Sequence, residues 1–299
     1  MKATEKIWFN GKFVPWADAK VHVLTHSLHY GSGAFEGIRV YKTENGPAIF
    51  HLEKHIERLV YSSESIGMKL PFTKEELIKA VIETVKVNKI ESCYLRPLSF
   101  YGFGELKVAQ IGCPIEVIIA AWPWGAYLGE EETRISVVKT IRIHPQTTVA
   151  DAKLTGPYVN SMLAAQEAIG KGFTEALQLD YQGNIAEGPG ENFFIVKDGI
   201  ISTPVLGSIL PGITRGSIIT LARDLGYTVE ERSITLAEAQ NADECFFTGT
   251  AAEVTPIASI DEWKMKFPKG KVTEHIKEEF LKIVHGKNEK YISWLTFVA

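Results

Sequence analysis

A lysine ahead of a Gly-Pro pair, followed further along by a glutamate ahead of Gly-Pro-Gly, constrains this chain more than any other feature. The two lie in Asp151-Ala152-Lys153-Leu154-Thr155-Gly156-Pro157-Tyr158 and in Ile185-Ala186-Glu187-Gly188-Pro189-Gly190-Glu191-Asn192-Phe193-Phe194. Pro157 suits the first turn of a helix whose apolar positions are Val159, Met162, Leu163, Ala165 and Ile169, so that helix is expected to anchor Lys153 at its mouth. A lysine in a partly desolvated pocket loses its proton more readily, and its free amine attacks carbonyls to give a Schiff base. On this feature alone a solvated lysine ahead of a helix is the ordinary reading, since lysines are mostly exposed. Glu187 changes the balance. It interrupts an apolar strand pattern, where a carboxylate is costly unless it faces a cation or a hydrogen-bond donor.

A pyridinium nitrogen is one such partner. Pyridoxal phosphate requires a Schiff-base lysine and an acidic group on its ring nitrogen, because the protonated ring is the better electron sink. It also requires a phosphate cradle, and the sequence offers one in three pieces.

The 299 residues, 45% of them hydrophobic, are enough for two domains. A division into a small α/β domain over 1–120, an interdomain loop over 121–131 and a larger domain over 132–299 is expected, because Trp122-Pro123-Trp124-Gly125-Ala126-Tyr127 gives way there to an acidic run. Aromatic residues on such a connection suit both domain docking and a ligand wall. A formal charge of -4 without any basic run excludes a nucleic-acid partner. Three scattered cysteines, Cys93, Cys113 and Cys245, suit a reducing compartment. With no signal-peptide core and no run of transmembrane length, the chain is expected to be cytoplasmic and not to engage a membrane.

In order, Asn10-Gly11 predicts an opening hairpin. His22, His26 and His29, then His51 and His55, have tempting spacings but no Cys, Asp or Glu to complete a ligand set, so no metal is expected and the first three are read on strand and loop. Gly31, Gly33 and Gly37 depart from G-x-G-x-x-G and precede a strand; close backbone approach is their better reading. A helix follows through Leu52, Ile56 and Leu59, with Arg58 beside its apolar face, and Thr73 with Glu76 predicts a capping box for a helix through Val87. Strands are expected at Cys93–Tyr101 and Pro114–Trp122. In the second domain a strand from Ile135 continues to Ile143, and a meander runs through Ala176–Tyr181, Ile185–Glu187, Asn192–Val196 and Ile200–Thr203, turning at Asp198-Gly199. A helix opens at Ile213-Thr214 with the threonine near its N-cap, a start that by pattern alone is structural although helix N-termini do bind phosphate. A buried strand over Glu244–Thr248 follows, then a last amphipathic helix around His275–Val284 and a tail, Tyr291–Leu295, expected to pack on the second domain.

Taken as an ordered set, Tyr30-Gly31-Ser32-Gly33-Ala34-Phe35-Glu36-Gly37-Ile38-Arg39, Arg58-Leu59, Tyr94-Leu95-Arg96-Pro97, Trp124-Gly125-Ala126-Tyr127, Ala152-Lys153, Glu187-Gly188-Pro189-Gly190-Glu191-Asn192, Leu210-Pro211-Gly212-Ile213-Thr214-Arg215 and Gly249-Thr250-Ala251-Ala252-Glu253 resemble the fold type IV pyridoxal phosphate enzymes, and within them the branched-chain amino acid aminotransferases. The resemblance covers nearly the whole chain. It implies an α/β (α+β) fold of two domains, with pyridoxal 5'-phosphate as cofactor. It implies Lys153 as the Schiff-base lysine and proton carrier, Glu187 on the ring nitrogen and Tyr158 on the cofactor's 3′ oxygen. Arg58, Ile213, Thr214 and Thr250 match phosphate positions. Ala251, with Thr250, matches the receiver of the substrate α-carboxylate, and Tyr30, Phe35, Tyr94, Trp124 and Tyr127 match an aromatic wall.

The implied reaction is a ping-pong exchange between leucine, isoleucine or valine and 2-oxoglutarate, so the partners are small amino acids and 2-oxo acids. One pocket then admits both a hydrocarbon and a carboxylate side chain, the latter needing a cation, for which Arg96 and Arg39 are available. The resemblance also implies a homodimer or larger homo-oligomer in which a loop near Val108 reaches the neighbouring site. D-amino acid aminotransferases and aminodeoxychorismate lyases are the near alternatives. A non-catalytic binder of the cofactor is the alternative of another class, against which the presence of both Lys153 and Glu187 argues.

Overall fold

Asn10 and Gly11 take φ of 48° and 88°, the left-handed pair of a two-residue hairpin turn, and fold β1 (Lys6–Phe9) onto β2 (Lys12–Pro15). The computed structural model describes residues 2–124 and 132–298. Next come α1 (His26–Tyr30), β3 (Gly33–Phe35), β4 (Ile38–Thr43), β5 (Gly46–Phe50), α2 (Leu52–Glu64), α3 (Lys74–Val87), β6 (Cys93–Tyr101) and β7 (Ile115–Trp122). Residues 26–30, expected as strand or loop, form a single helical turn because Gly31 at φ 61° closes it, its N–H donating to the Ser27 carbonyl. The Thr73–Glu76 capping box is reciprocal and starts α3 as expected.

From residue 132 onward lie β8 (Thr133–Val137), α4 (Tyr158–Gly170), β9 (Glu175–Leu177), β10 (Asn192–Lys197), β11 (Ile200–Thr203), α5 (Ile213–Asp224), β12 (Val229–Glu231), α6 (Leu236–Gln240), β13 (Glu244–Gly249), β14 (Glu253–Ile260), β15 (Trp263–Lys264), α7 (Lys271–Val284) and, after a 3-10 turn, β16 (Leu295–Phe297). The strand expected to run to Ile143 stops at Val137. Past it the ladder is intermittent, with Val138 N–H donating to Leu177 and Arg142 N–H to Leu179.

The chain forms two compact units. Met1–Gly125, Ala152–Gly156 and Lys282–Ala299 make the first, Ala126–Asp151 and Pro157–Leu281 the second. A boundary at 121–131 takes no account of the two returns to the first unit. The first return is made by main-chain bonds to β3, the second by β16, which pairs antiparallel with β5. The tail therefore packs on the first unit, not on the second as expected.

The first unit holds an eight-stranded sheet in the order β16-β5-β4-β6-β7-β1-β2, with β3 also on β6. Strand parity divides it. Ile38, Val40, Cys93, Leu95, Ile119 and Ala121 face the core with Leu52, Ile56, Leu77 and Val81 of α2 and α3, which leaves Arg39, Tyr94, Arg96 and Trp122 for the opposite face. The second unit holds the sheet β12-β11-β10-β13-β14-β8-β9, with β15 on β14, around Ile135, Leu177, Phe193, Ile195, Phe247 and Ile257. Its α4 is turned the other way from the expectation. Val159 and Ile169 are 56% and 62% exposed, whereas Ser161, Ala164 and Ala168 are buried. Small side chains let the helix approach Val138 and Ala176 closely.

His51, at φ 47° ahead of α2, is clasped between Phe50 and Trp294, with ring centroids 4.5 and 4.8 Å away. Burial, reinforced by Lys54 and His55, pushes its pKa down to about 3 from an ordinary 6.5. The unfolded chain then binds this proton between pH 6.5 and 3 while the folded chain does not, so stability present above that window is lost as pH falls through it. One such group gives a slope of about 1.4 kcal/mol per pH unit. Urea unfolding at a series of pH values is expected to show His51→Asn, which tolerates the left-handed backbone, with a slope flatter by that amount. An unchanged slope would contradict the assignment.

Candidate active site

Lys153 is positioned by main-chain bonds rather than by the helix after it, correcting the sequence-based expectation: α4 begins only at Tyr158 and belongs to the second unit. The segment around Lys153 instead lies along β3 as a short antiparallel partner. Phe35 N–H donates to Lys153 O (3.0 Å), Thr155 N–H to Gly33 O (2.8 Å) and Gly156 N–H to Gly31 O (3.0 Å). From α2, Ser62 Oγ accepts from Lys153 N (2.9 Å). The approach needs glycine: a Cβ on Gly31 would stand 2.7 Å from Gly156 Cα. With both its N–H and its carbonyl held, Lys153 sends Nζ over the Phe35 ring, 5.0 Å from the centroid.

The same ring receives Arg96. Its guanidinium carbon lies 4.7 Å from the Phe35 centroid, 5.4 Å from Tyr94 and 5.9 Å from Trp122. Tyr94 in turn packs on Trp124 at 4.6 Å. Gly37 makes room for this arrangement, since a Cβ there would collide with the Tyr94 hydroxyl. Arg96 Nε, and Nε and Nη1 of Arg39, are buried without a hydrogen-bond partner among the described residues. Such donors are expensive to leave unmade, and an anion beside them would satisfy them. Arg39 sits over Tyr41, 5.7 Å away, and Tyr30, 44% exposed, packs on His26. Tyr127 lies outside the described residues. Of the histidines weighed for metal, His26 bonds Ser32 and the Lys107 carbonyl, and no metal-binding cluster occurs among the described residues.

Arg58 is on α2, with its fork on the buried Glu36: Nε to Oε1 at 2.6 Å and Nη2 to Oε2 at 3.0 Å. Neither Glu36 nor its second partner, His55, was given a role from sequence.

In the second unit Glu187 has the cation its burial demanded. Arg142 Nε donates to Oε1 at 2.6 Å, Asn192 Nδ2 to Oε2 at 2.9 Å, and the Leu210 N–H reaches both oxygens at 3.2 Å. All of these donate, which favours the carboxylate over the acid. Sequence reasoning missed Arg142 and Asn192. A signal for Arg142 existed, because Arg134 and Arg142 are the two arginines between residues 132 and 187.

Ile213 and Thr214 open α5 directly after the N-cap Gly212, the threonine near the cap as expected, and no side chain caps this end or places an acid in its first turn. Its N–H groups and dipole suit a phosphate. Tyr158 is the first residue of α4, and Thr250 and Ala251 lie on the turn between β13 and β14. Each unit by itself offers groups of the kind pyridoxal phosphate requires: a fixed lysine and a helical arginine in the first, a donor-fed carboxylate and an uncapped helix start in the second.

Residues 33–260 match the model of the family described as Amino-transferase class IV. The chain is 47% identical over 297 residues to the branched-chain-amino-acid aminotransferase of Pseudomonas aeruginosa, covering 98% of this chain and 97% of that one. It is 41% identical over 301 residues to the Escherichia coli enzyme of the same name, again covering 98% and 97%. Among solved structures, a T.th. branched-chain amino acid aminotransferase complexed with N-(5'-phosphopyridoxyl)-L-glutamate superposes with a TM-score of 0.96 at 45% identity, covering 99% of each chain.

Removing one partner of a buried ion pair strands the other charge, at about 3 to 5 kcal/mol. Arg142→Met is therefore expected to lose that much unfolding free energy in urea, and Arg142→Met with Glu187→Gln to lose less. A double variant as unstable as the single one would show that the pair does not carry the effect.

Proposed function

This chain belongs to the class IV amino-transferase family, and we propose that it is a pyridoxal phosphate-dependent branched-chain-amino-acid aminotransferase exchanging the amino group between L-leucine, L-isoleucine or L-valine and 2-oxoglutarate. The observation that carries this reading is that Lys153 Nζ and the Arg96 guanidinium share the Phe35 ring. A reactive amine and a carboxylate receiver then stand on one apolar surface, as a pocket for both leucine and glutamate side chains demands.

When bound, pyridoxal phosphate supplies the carbonyl that takes the amino group and the ring that accepts the electron pair released at Cα. Lys153 Nζ holds the cofactor and moves the proton at the substrate Cα. The Glu187 carboxylate keeps the ring nitrogen protonated, held for that task by Arg142 and Asn192. Tyr158 serves the ring oxygen. Arg58, the Ile213 and Thr214 N–H groups and Thr250 take the phosphate, and Thr250 with Ala251 takes the α-carboxylate. Tyr30, Phe35, Tyr94, Trp124 and Tyr127 exclude water from the side chain. Arg96 takes the second carboxylate, with Arg39 as the other available cation.

The protein works in the cytoplasm as a homodimer or larger homo-oligomer. Supporting this, Leu106, Val108 and Ile111 are exposed, Val108 at 80%, on a loop tied back through the His26–Lys107 bond. Such a loop is suited to reach a neighbouring copy's site.

The yellow absorbance of the purified protein is expected to be discharged by L-leucine and to persist with D-alanine; the reverse would favour a D-amino acid aminotransferase. Arg96→Met is expected to slow the half-reaction with 2-oxoglutarate by about 3 kcal/mol, roughly a hundredfold, while slowing that with L-leucine much less. Equal slowing in stopped-flow measurements, with a lowered melting temperature, would make Arg96 structural.

A further inference from the structure

Glu36 has no part in the chemistry above, yet it is wholly buried at the junction of β3 and β4. Four donors converge on it. Besides the two from Arg58, His55 Nδ1 lies 2.7 Å from Oε2 and Gly37 N–H lies 3.3 Å from the same oxygen. Burial alone would raise the pKa of this carboxyl, but the Arg58 charge and then His55 outweigh it and hold it well below the usual carboxylate range. His55 is itself pushed down, chiefly by burial, against the pull of Glu36.

The spacing on α2 shows what the cluster can do. His55, Arg58 and Ser62 are three and four residues apart and so share one face. Ser62, about 6 Å of helix rise beyond Arg58, accepts from the Lys153 main chain. One helical stripe thus carries both side-chain partners of Glu36 and the anchor of the Schiff-base lysine. Apolar packing would hold this helix to its sheet without the desolvation penalty of a buried charge, so the carboxylate does something that packing does not. The five N–H donors of an arginine lie in one plane. Two bonds to Glu36 set the direction of the other three.

We propose that Glu36, braced by His55, is the positioning residue for Arg58, fixing the guanidinium plane at a set distance from the Lys153 backbone so that the guanidinium is oriented toward the cofactor phosphate. This rests on the assignment of Arg58 to that phosphate. The full chain, freed of cofactor, is titrated with pyridoxal phosphate and, in parallel, with pyridoxal, which lacks the phosphate; the ratio of the two affinities is the readout. Glu36→Gln is expected to lower the ratio about tenfold to a hundredfold, the worth of one or two charge-assisted bonds. In an Arg58→Met background it should lower the ratio no further. Equal weakening of both ligands by Glu36→Gln, or no change in either, would overturn the proposal. If Arg58→Met lowers the ratio and Glu36→Gln does not, the positioning role alone fails. If Arg58→Met leaves the ratio unchanged, the phosphate assignment fails and this inference with it. Should Glu36→Gln not fold, Glu36→Asp, which keeps the charge but shortens the reach, must lower the ratio, and an unchanged ratio overturns the proposal.

Discussion

The main-chain pairing of Lys153, Thr155 and Gly156 with Gly31, Gly33 and Phe35 is the constraint on which the rest depends. A lysine side chain has many rotamers and a strongly hydrated head. Its direction is defined only if its backbone is, and here the backbone is held to a strand that belongs to an eight-stranded sheet. β3 pairs with β6, so the lysine, the Phe35 ring beneath its amine and the Arg96 guanidinium on that ring are referred to one hydrogen-bonded framework. A site built on strands in register holds its geometry more closely than one built on loops.

Each unit also contains a buried carboxylate matched to a guanidinium: Glu36 to Arg58 in the first and Glu187 to Arg142 in the second. In both, neutral donors complete the set, with Gly37 N–H on one and Asn192 and Leu210 N–H on the other. Ion pairs of this kind add little net stability over apolar packing. What they do provide is direction, because a planar fork on a carboxylate has one favourable orientation.

Much of this was legible in the sequence for local reasons. Asn10-Gly11 and Asp198-Gly199 both adopt the left-handed turn that such pairs favour, and Thr73–Glu76 caps its helix through its own side chains. The helix start at Ile213 and the strand ending at Gly249 were equally local. The return of residues 152–156 and 282–299 to the first unit was not legible, because it is made by hydrogen bonds between segments distant in sequence. The buried face of α4 was misread because counting large apolar residues favours Val159, Met162 and Leu163, whereas the sheet selects Ser161, Ala164 and Ala168 for close approach. Arg142 was missed because the stretch was read as a strand continuing to Ile143. Glu253–Ile260 was not recognised as a strand, its first residue standing at φ 54° straight after the turn.

Borohydride reduction of the holoenzyme followed by peptide mapping shows directly whether main-chain pairing makes Lys153 the one lysine joined to the cofactor. A single phosphopyridoxyl group is expected, on Lys153. Finding it on another lysine, or finding the reduced cofactor released without a peptide, would contradict it.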